Sequence, residues 1–462
     1  MQDGRATAKV LRAHVPELLR LALPATASRL GLFAMAFVDT VMVGRYATAE
    51  LAWLSLGNRA LVTFLLIVAI GLLMGVLVAT STAFGQRDYP RCGQVWRRSL
   101  PYAADIGVGM AALTCTAPWL MPLIAADPVI AEQAARLAMI LGLGLPAHLV
   151  FFCSTAFLEG VRRPYVPMLI LLAANLLNAL LNYLLIFGNL GAPELGAAGS
   201  AWTTTLVRWL IAGLAVGYVC LAPSMRDFAV RRPYRGAWSD WARQRAIGYA
   251  SAVSIGTEVG AFAGLAIIAE KLGALELAGQ EIVFNVLGVP FMFAVGIGSA
   301  TAVRVAIAHG RGARAETAVA GWTGVGAAVI PLAIIALLVG QRPEAVFALH
   351  SSDPALAAVA VPAIAFAAFV VLFDGQQATI TMALRGLGET WWPTALQATA
   401  YVAIMLPLSW LLAVGLDRGL IGLLEGTLTA SVFAVSAQNA RFWWLTRRRA
   451  AASDEAARSS LA

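Results

Sequence analysis

The chain has 462 residues, of which 60% are hydrophobic and only 13% are charged, and its mean hydropathy is +0.77. No soluble domain of this size needs so much apolar sequence, so the composition excludes a soluble globular protein and indicates many membrane-spanning helices. The formal charge of +8 does not indicate nucleic-acid binding, because membrane proteins distribute Lys and Arg residues by loop. We therefore expect the lipid bilayer, and no nucleic acid, as a partner.

Apolar segments recur along the whole chain, each as long as the roughly 20 residues that a helix needs to cross a bilayer. They predict twelve transmembrane helices, at 17–43, 52–84, 94–120, 130–158, 165–188, 197–221, 245–269, 278–308, 317–340, 355–384, 392–415 and 420–445. Lys and Arg residues are concentrated in alternate loops, a pattern that predicts two cytoplasmic termini. Arginine far outnumbers lysine, which suggests a bacterial source. We expect a multi-pass, monomeric protein of the bacterial cytoplasmic (inner) membrane.

The two halves of the chain share features at an offset of 225–226 positions, which indicates an internal repeat. Gly71 corresponds to Gly296, and Gly160 to Gly386. Two six-helix lobes in the same orientation, related by a pseudo-twofold axis along the membrane normal, would follow from such a repeat. The predicted domains are an N-lobe at 1–223, a cytoplasmic linker at 224–244 that would act as a hinge, a C-lobe at 245–446 and a cytoplasmic tail at 447–462.

Asp374 begins a polar stripe inside a long apolar segment. Asp374, Gln377 and Thr381 are spaced i, i+3, i+7, so they share one face of a helix. A carboxylate at the middle of a membrane helix costs roughly 2.5–3.5 kcal/mol on insertion scales, so it normally faces a cavity, an ion or a substrate. The alternative is an aspartate that an arginine holds for packing alone.

Two further carboxylates lie inside predicted helices, at Glu258 and Asp39. Glu258 shares a helix face with Ser251 and Ser254, and hydroxyl and carboxylate oxygens together suit a sodium ion. A carboxylate removed from water suits a proton equally well. The spacing does not separate these two ions. Asp39 is a third candidate, although it could also be a hydrated residue near the membrane interface.

Amide and apolar side chains near these acids are candidates for contacts with a substrate. Asn175, Asn178 and Asn182 form another i, i+3, i+7 stripe, which could instead join helices through hydrogen bonds. Met35 and Phe284 would suit a hydrophobic cation through dispersion and cation–π contacts. Core packing explains most residues of this kind without a ligand.

Known catalytic motifs are missing from the sequence. It has no GxxxxGK[ST] phosphate loop and no GxSxG nucleophile motif, and its four histidines lack metal-ligand spacing. An enzyme and an ATP-driven pump are therefore poor interpretations, and no cofactor is expected. An ion gradient of sodium or protons is the expected energy source.

Five segments resemble one family over essentially the whole chain. These are FVDTVMVGR (37–45), NALLNYLLIFG (178–188), AGQEIVFN (278–285), RVAIAHG (304–310) and ALRGLGETWWP (383–393). In this order and spacing the chain resembles the multidrug and toxic compound extrusion (MATE) transporters, most closely their NorM-like branch. The resemblance implies a V-shaped fold of two lobes and the export of organic, often cationic, drugs or toxins in exchange for sodium ions or protons.

The resemblance also implies roles for particular residues. Glu258 and Asp374 match the cation site of the C-lobe, where they would bind sodium if sodium is the coupling ion, and Asp39 matches an acid of the N-lobe cavity. Gln280-Glu281 replaces the family's usual His-Gln pair. The expected residues of the substrate cavity are Asn175, Asn178, Asn182, Gln280, Glu281, Asn285, Gln377, Thr381, Met35 and Phe284. A lipid-linked oligosaccharide flippase of the same superfamily is the alternative function.

Overall fold

The structure is a computed structural model that describes residues 2–125, 127–234 and 236–459, and side chains at 14–59, 61–125, 127–234 and 236–447. Within these ranges every regular element is helical. The α-helices are α1 (Gln2–Tyr46), α2 (Thr48–Gly57), α3 (Phe64–Gly85), α4 (Tyr89–Thr114), α5 (Ala117–Ile124), α6 (Pro128–Gly142), α7 (Leu145–Gly160), α8 (Tyr165–Phe187), α9 (Ala197–Leu221), α10 (Ala242–Leu272), α11 (Ala274–Gly310), α12 (Arg314–Gln341), α13 (Pro343–Ala348), α14 (Pro354–Gly386), α15 (Trp391–Ala398), α16 (Leu406–Trp410) and α17 (Gly419–Ser459). Three π-helical segments (Asn58–Thr63, Thr399–Met405 and Leu411–Gly415) and three 3₁₀ segments (Asn189–Gly191, Pro223–Phe228 and Trp238–Trp241) complete the described elements.

The number of membrane-spanning helices agrees with the prediction. Over the described residues, ten helical segments are long and apolar enough to cross a membrane, or twelve if each of two bent pairs forms one span. One pair is α4 and α5, bent by 56°, and the other is α6 and α7, bent by 42°. These pairs coincide with the predicted helices 94–120 and 130–158, so the all-helical, multi-span fold class is confirmed.

Two predicted boundaries differ from the structure. Helix α17 continues to Ser459, so the chain remains helical through most of the region that we predicted as a tail at 447–462. The side chains of 448–459 lie outside the described residues. The predicted helices 94–120 and 130–158 are interrupted, because the α-helical path ends at Thr114 and again at Gly142.

The chain divides into two compact units. Ala27–Ala252 form the N-terminal unit, and the residues up to Thr26 together with those from Val253 onward form the C-terminal unit. The division therefore falls inside α1 and inside α10, at positions 226 residues apart, and not at the predicted boundaries 1–223 and 245–446. Each unit takes the first part of a long helix from the other half of the sequence.

Two glycines explain why these helix ends pack where they do. A Cβ on Gly71 would lie 2.6 Å from the Cα of Ala252, and a Cβ on Gly296 would lie 2.6 Å from the Cα of Thr26. Only glycine permits such close approach of two backbones. Because Gly71 and Gly296 were paired by the sequence repeat at an offset of 225, and their partners Thr26 and Ala252 are 226 positions apart, the same helix contact occurs once in each unit.

Aromatic side chains of the predicted linker 224–244 are buried in the N-terminal unit. Phe228 and Trp241 are only 6% and 5% exposed. The ring of Phe228 makes edge contacts with Tyr89 of α4 and Phe157 of α7, at centroid distances of 5.7 and 5.8 Å. Burial of these aromatic rings favours a fixed position for the segment.

Each unit has its own apolar core. In the N-terminal unit, Phe151, Leu171 and Ile211 belong to one buried cluster. In the C-terminal unit, one buried cluster includes Ile364 and Tyr401, both fully buried. The hydroxyl group of Tyr401 lies inside this core and donates a hydrogen bond to Asp374. This bond connects the core to the candidate site.

Candidate functional site

The C-terminal unit holds the two strongest sequence-predicted acids, Glu258 on α10 and Asp374 on α14. Both side chains are partly exposed, and the two carboxylates interact electrostatically. Gln397 donates a hydrogen bond of 2.7 Å to Oε2 of Glu258, and the Tyr401 hydroxyl donates one of 3.0 Å to Oδ1 of Asp374. The Ser431 hydroxyl of α17 also lies 3.4 Å from that Oδ1 atom.

One helix face supplies donors to both carboxylates. Gln397 and Tyr401 are four residues apart, at the junction between α15 and the π-helical segment Thr399–Met405, so their side chains project on the same side. Single-turn π-helical interruptions occur frequently at functional sites. Ser254 hydrogen-bonds to Oε1 of Gln397, as expected from its predicted position on the face of Glu258, and thereby orients the amide.

Glu258 and Asp374 each keep one oxygen atom without a hydrogen-bond donor from the described residues. Among the described residues, neither Oε1 of Glu258 nor Oδ2 of Asp374 accepts a hydrogen bond. Their hydrogen-bond donors are an amide and two hydroxyl groups, and not an arginine. The alternative interpretation requires an ion pair between Asp374 and an arginine, and no such pair occurs among the described residues.

Gln377 and Thr381 share a face with Asp374, as predicted, but they are buried in a helix contact. They are 1% and 4% exposed. Gln377 donates to the hydroxyl of Thr381 at 3.2 Å, and this hydroxyl contacts Oε1 of Gln438 on α17 at 2.6 Å. The structure therefore places both residues between α14 and α17, and not on an open cavity wall.

The four candidates on α11 divide between two environments. Gln280 is 5% exposed and lines a small apolar cavity with Phe262 and Phe284, and its Oε1 atom has no hydrogen-bond partner in the described structure. The Phe262 ring packs edge-on against Phe284 at 4.9 Å. Glu281 and Asn285 are exposed instead. The exchange of the family's usual pair for Gln280-Glu281 thus puts one residue inside the unit and one outside.

The N-terminal unit holds Asp39 in a complete set of hydrogen bonds. Oδ1 accepts from Asn178 at 2.7 Å and from Asn182 at 2.6 Å, and Oδ2 accepts from the Thr204 hydroxyl at 2.9 Å. Two of the three asparagines in the predicted stripe therefore contact the predicted acid. The third, Asn175, donates to the carbonyl oxygen atoms of Gly31 and Leu171, the helix-joining role that was the alternative for this stripe.

Met35 lies in the apolar core of the N-terminal unit. It is 7% exposed and packs in the cluster of Phe151 and Leu171. Core packing was the alternative interpretation for this residue, and its position agrees with that alternative.

Side chains of α9 satisfy the backbone where α6 ends and α7 begins. Arg208 donates to the carbonyl of Leu141 at 3.1 Å, and Thr205 donates to that of Ile140 at 2.8 Å. A broken helix inside a membrane needs such partners, because lipid offers none. Arg208 also lies one helical turn from Thr204 and interacts electrostatically with Asp39, so Asp39 has a positive charge nearby.

The family model MatE matches the chain twice, at residues 24–184 and 250–411. The two matches begin 226 positions apart, the offset of the sequence repeat and of the two glycine contacts. The chain belongs to the MATE family. The repeat is therefore a duplicated MatE domain, as the sequence predicted.

Curated relatives place the chain in the NorM-like branch of the MATE family. It is 34% identical to the probable multidrug resistance protein NorM of Caulobacter vibrioides, over 96% of this chain and 94% of that protein. It is 30% identical to the multidrug resistance protein PmpM of Pseudomonas aeruginosa, over 87% of this chain and 84% of that protein.

Solved structures of MATE proteins have the same fold. The eukaryotic MATE transporter AtDTX14 superimposes with a TM-score of 0.87 at 17% identity, covering 95% of this chain and 99% of that one. An outward-facing multidrug resistance MATE transporter gives a TM-score of 0.85 at 17% identity, covering 93% of this chain and 96% of that one. These likenesses confirm the predicted MATE fold.

Four residues that donate hydrogen bonds to Glu258, Asp374 and Asp39 were not predicted from the sequence of this MATE protein: Gln397, Tyr401, Ser431 and Thr204. A signal for two of them was present, because Gln397 and Tyr401 are polar groups four residues apart within the apolar segment 392–415. Ser431 and Thr204 carry small hydroxyl groups, which occur throughout membrane helices and do not identify a site.

Proposed function

We propose that this MATE protein is a secondary antiporter that exports organic, often cationic, drugs or toxins in exchange for sodium ions or protons. The observation that carries the proposal is the carboxylate pair Glu258 and Asp374, in which each acid keeps an oxygen atom that accepts no hydrogen bond from the described residues. An intramembrane carboxylate with an unused oxygen atom is suited to a cation. The NorM and PmpM relatives are named as multidrug resistance proteins, which supports the choice of substrate.

Competition for negative charge would couple the two fluxes. A sodium ion or proton at the pair reduces its attraction for a cationic drug, and the departure of that ion restores it. A ligand shifts a conformational equilibrium only by its differential affinity for the two states. Because Gln397 and Tyr401 stand on one helix face, a movement of that segment would change the hydrogen bonding of both acids together. Alternating access would then follow from a shift between two states of this segment.

Asp39 is a further candidate for cation coupling within the N-terminal unit. All of its hydrogen-bond donors are neutral, and the Oδ1 atoms of Asn178 and Asn182 have no partner among the described residues. Amide and carboxylate oxygens are suitable ligands for a hard cation. The charge of Arg208 opposes a second positive charge there, so we place the primary coupling site at Glu258 and Asp374.

The cellular setting completes the proposal. We propose a bacterial cytoplasmic membrane with both termini in the cytoplasm, because Arg-rich loops alternate with loops that contain few Arg or Lys residues. We further propose that the monomer is the transport unit.

The decisive experiment is ethidium transport by the purified full-length protein in proteoliposomes, with a sodium gradient and a proton gradient imposed separately. We expect one gradient to drive ethidium movement and its dissipation to stop it. Movement of ethidium under neither gradient would contradict the proposal. If a labelled lipid-linked oligosaccharide crossed the same membranes while ethidium did not, the flippase would replace the antiporter.

A further inference from the structure

Arg385, the residue before the last of α14, is a buried positive charge without a direct partner. It is 3% exposed, and it forms neither a hydrogen bond nor an ion pair within 4.0 Å with the described part of the chain. An uncompensated charge in a protein interior is costly. Its retention at this position therefore calls for a role that packing does not provide.

The guanidinium group of Arg385 lies on the helix face of α14 that carries Asp374. Asp374, Gln377, Thr381 and Arg385 are spaced 3, 4 and 4 residues apart, so they lie on one face. Side chains of a helix point toward its N-terminus, and Asp374 is N-terminal to Arg385. Arg385 thus extends back along the helix and into the unit, away from the Leu387–Thr390 turn.

Glu258 is the nearer acid along this axis. α15 returns from the turn, and Gln397, which binds Glu258, precedes Tyr401, which binds Asp374, by one helical turn. Glu258 therefore lies about 6 Å closer to the turn, and hence to Arg385, than Asp374 does. An electrostatic interaction between Glu258 and Arg385 agrees with this arrangement.

The position equivalent to Arg385 in the N-terminal unit carries a charge that is neutralised by an ion pair. The position 226 residues before Arg385 is Glu159, which forms a buried ion pair of 3.2 Å with Arg29. The position equivalent to Arg29 is Ile255. The C-terminal unit therefore has the opposite charge at this position and no equivalent of the partner, and the charge interacts with Glu258 instead.

We propose that Arg385 is a tethered counter-cation that competes with the coupling cation for Glu258. This inference rests on the antiport function proposed above. Two carboxylates and one guanidinium leave one unit of negative charge, so a single monovalent cation makes the cluster neutral. When that cation leaves, Arg385 approaches Glu258 and limits the electrostatic cost of the empty site. When it binds, Arg385 is displaced, which weakens cation binding enough to permit release.

Charge-removing variants of Arg385 test the inference in purified full-length protein. Ethidium binding is followed by fluorescence anisotropy while sodium is added at fixed pH, and in a second arm while the pH is lowered without sodium. The set comprises wild type, Arg385→Gln, Arg385→Met, Arg385→Lys and the control Arg441→Gln. Arg441 is a partly buried arginine of the same unit that already pairs with Glu389 at 3.0 Å.

We expect both neutral variants to bind the effective cation about tenfold more tightly, as removal of a like charge at roughly 8–10 Å predicts, and with a steeper dependence on its concentration. Arg385→Lys and Arg441→Gln should resemble wild type. Arg385→Met provides an apolar side chain suited to burial should Arg385→Gln fail to fold. Midpoints of the neutral variants within about twofold of wild type would overturn the inference. If ethidium binding by wild type responds to neither sodium nor protons, the antiport proposal itself fails. If wild type responds and the neutral variants match it, only the inference about Arg385 fails.

Discussion

The two units of this MATE protein have the same backbone contact and different arrangements of charge. Gly71 in the N-terminal unit and Gly296 in the C-terminal unit make equivalent close approaches to a helix. In the N-terminal unit, both oxygen atoms of Asp39 accept hydrogen bonds. In the C-terminal unit, Glu258 and Asp374 each keep one free oxygen atom among the described residues. The two units therefore share a helix contact and differ in how many hydrogen bonds their intramembrane acids accept.

Buried arginines show the same contrast. Arg29 of the N-terminal unit is paired with Glu159, and Arg208 is bonded to a carbonyl oxygen. Arg385 of the C-terminal unit has neither kind of contact with the described residues. Mutation of Arg29 is therefore expected to act mainly through stability, and mutation of Arg385 mainly through ligand binding.

The largest expected effect is on transport, from Asp374→Asn and Glu258→Gln. Each variant removes one of the two negative charges that we assign to the coupling cation, so ethidium export should fall to the level of empty vesicles. Both proteins should insert and elute as a single species on size-exclusion chromatography, because neither acid forms an ion pair within 4.0 Å in the described structure. Gradient-driven export at the wild-type rate by either variant would contradict the assignment of the coupling cation to Glu258 and Asp374.

The second effect is on stability, from Arg29→Gln or Glu159→Gln in the N-terminal unit. Removal of one partner from a buried ion pair typically costs about 3–5 kcal/mol, since the other charge remains buried without compensation. The cost should be measured as a lower midpoint of thermal unfolding, with the double variant Arg29→Met, Glu159→Leu recovering part of the loss. Single variants as stable as wild type would show that the pair does not hold the unit.

Much of this contrast was present in the sequence. Hydropathy and the repeat predicted the helices and the equivalence of Gly71 and Gly296, because span length and close backbone approach depend on local residue size and polarity. The acids were also identifiable, since a carboxylate inside an apolar segment is costly. The free oxygen atoms were not, because they depend on which face of the distant segment around Gln397 and Tyr401 turns toward each acid.

The sequence also did not predict that helices α1 and α10 are each divided between the two units. Hydropathy marks the length of a span, but it does not say which half of a long helix packs with which unit. The same limit applies at 224–244, where charged residues predicted a linker and did not indicate that Phe228 and Trp241 are buried.

The third effect should be equal in the two units. Gly71→Ala and Gly296→Ala each place a methyl group within 2.6 Å of a backbone Cα atom, and such overpacking typically costs about 1–3 kcal/mol. Thermal unfolding should show a similar loss for both. Gly109→Ala and Gly326→Ala are the controls, because no heavy atom lies within 4 Å of an added Cβ at either position. A loss at only one of the two contacts would end their equivalence.

The smallest effect compares one hydroxyl group on an acid of each unit, through Tyr401→Phe and Thr204→Val. The Tyr401 O–H points its positive end at Asp374 and so competes with any cation for that carboxylate, whereas its ring packs against Phe262 at 5.7 Å and is retained in phenylalanine. The net value of such a bond is roughly 1 kcal/mol, so Tyr401→Phe should lower the cation concentration that displaces ethidium by about three- to tenfold.

Thr204→Val should leave that displacement midpoint unchanged, because Asp39 keeps its bonds to Asn178 and Asn182 and we place the primary coupling site elsewhere, at Glu258 and Asp374. Its cost should instead be a modest loss of thermal stability. A shift of the midpoint by Thr204→Val with none by Tyr401→Phe would transfer the coupling site to Asp39. The hydrogen-bond cage around Asp39 would then have to open during transport, and its two asparagines would become the next residues to change.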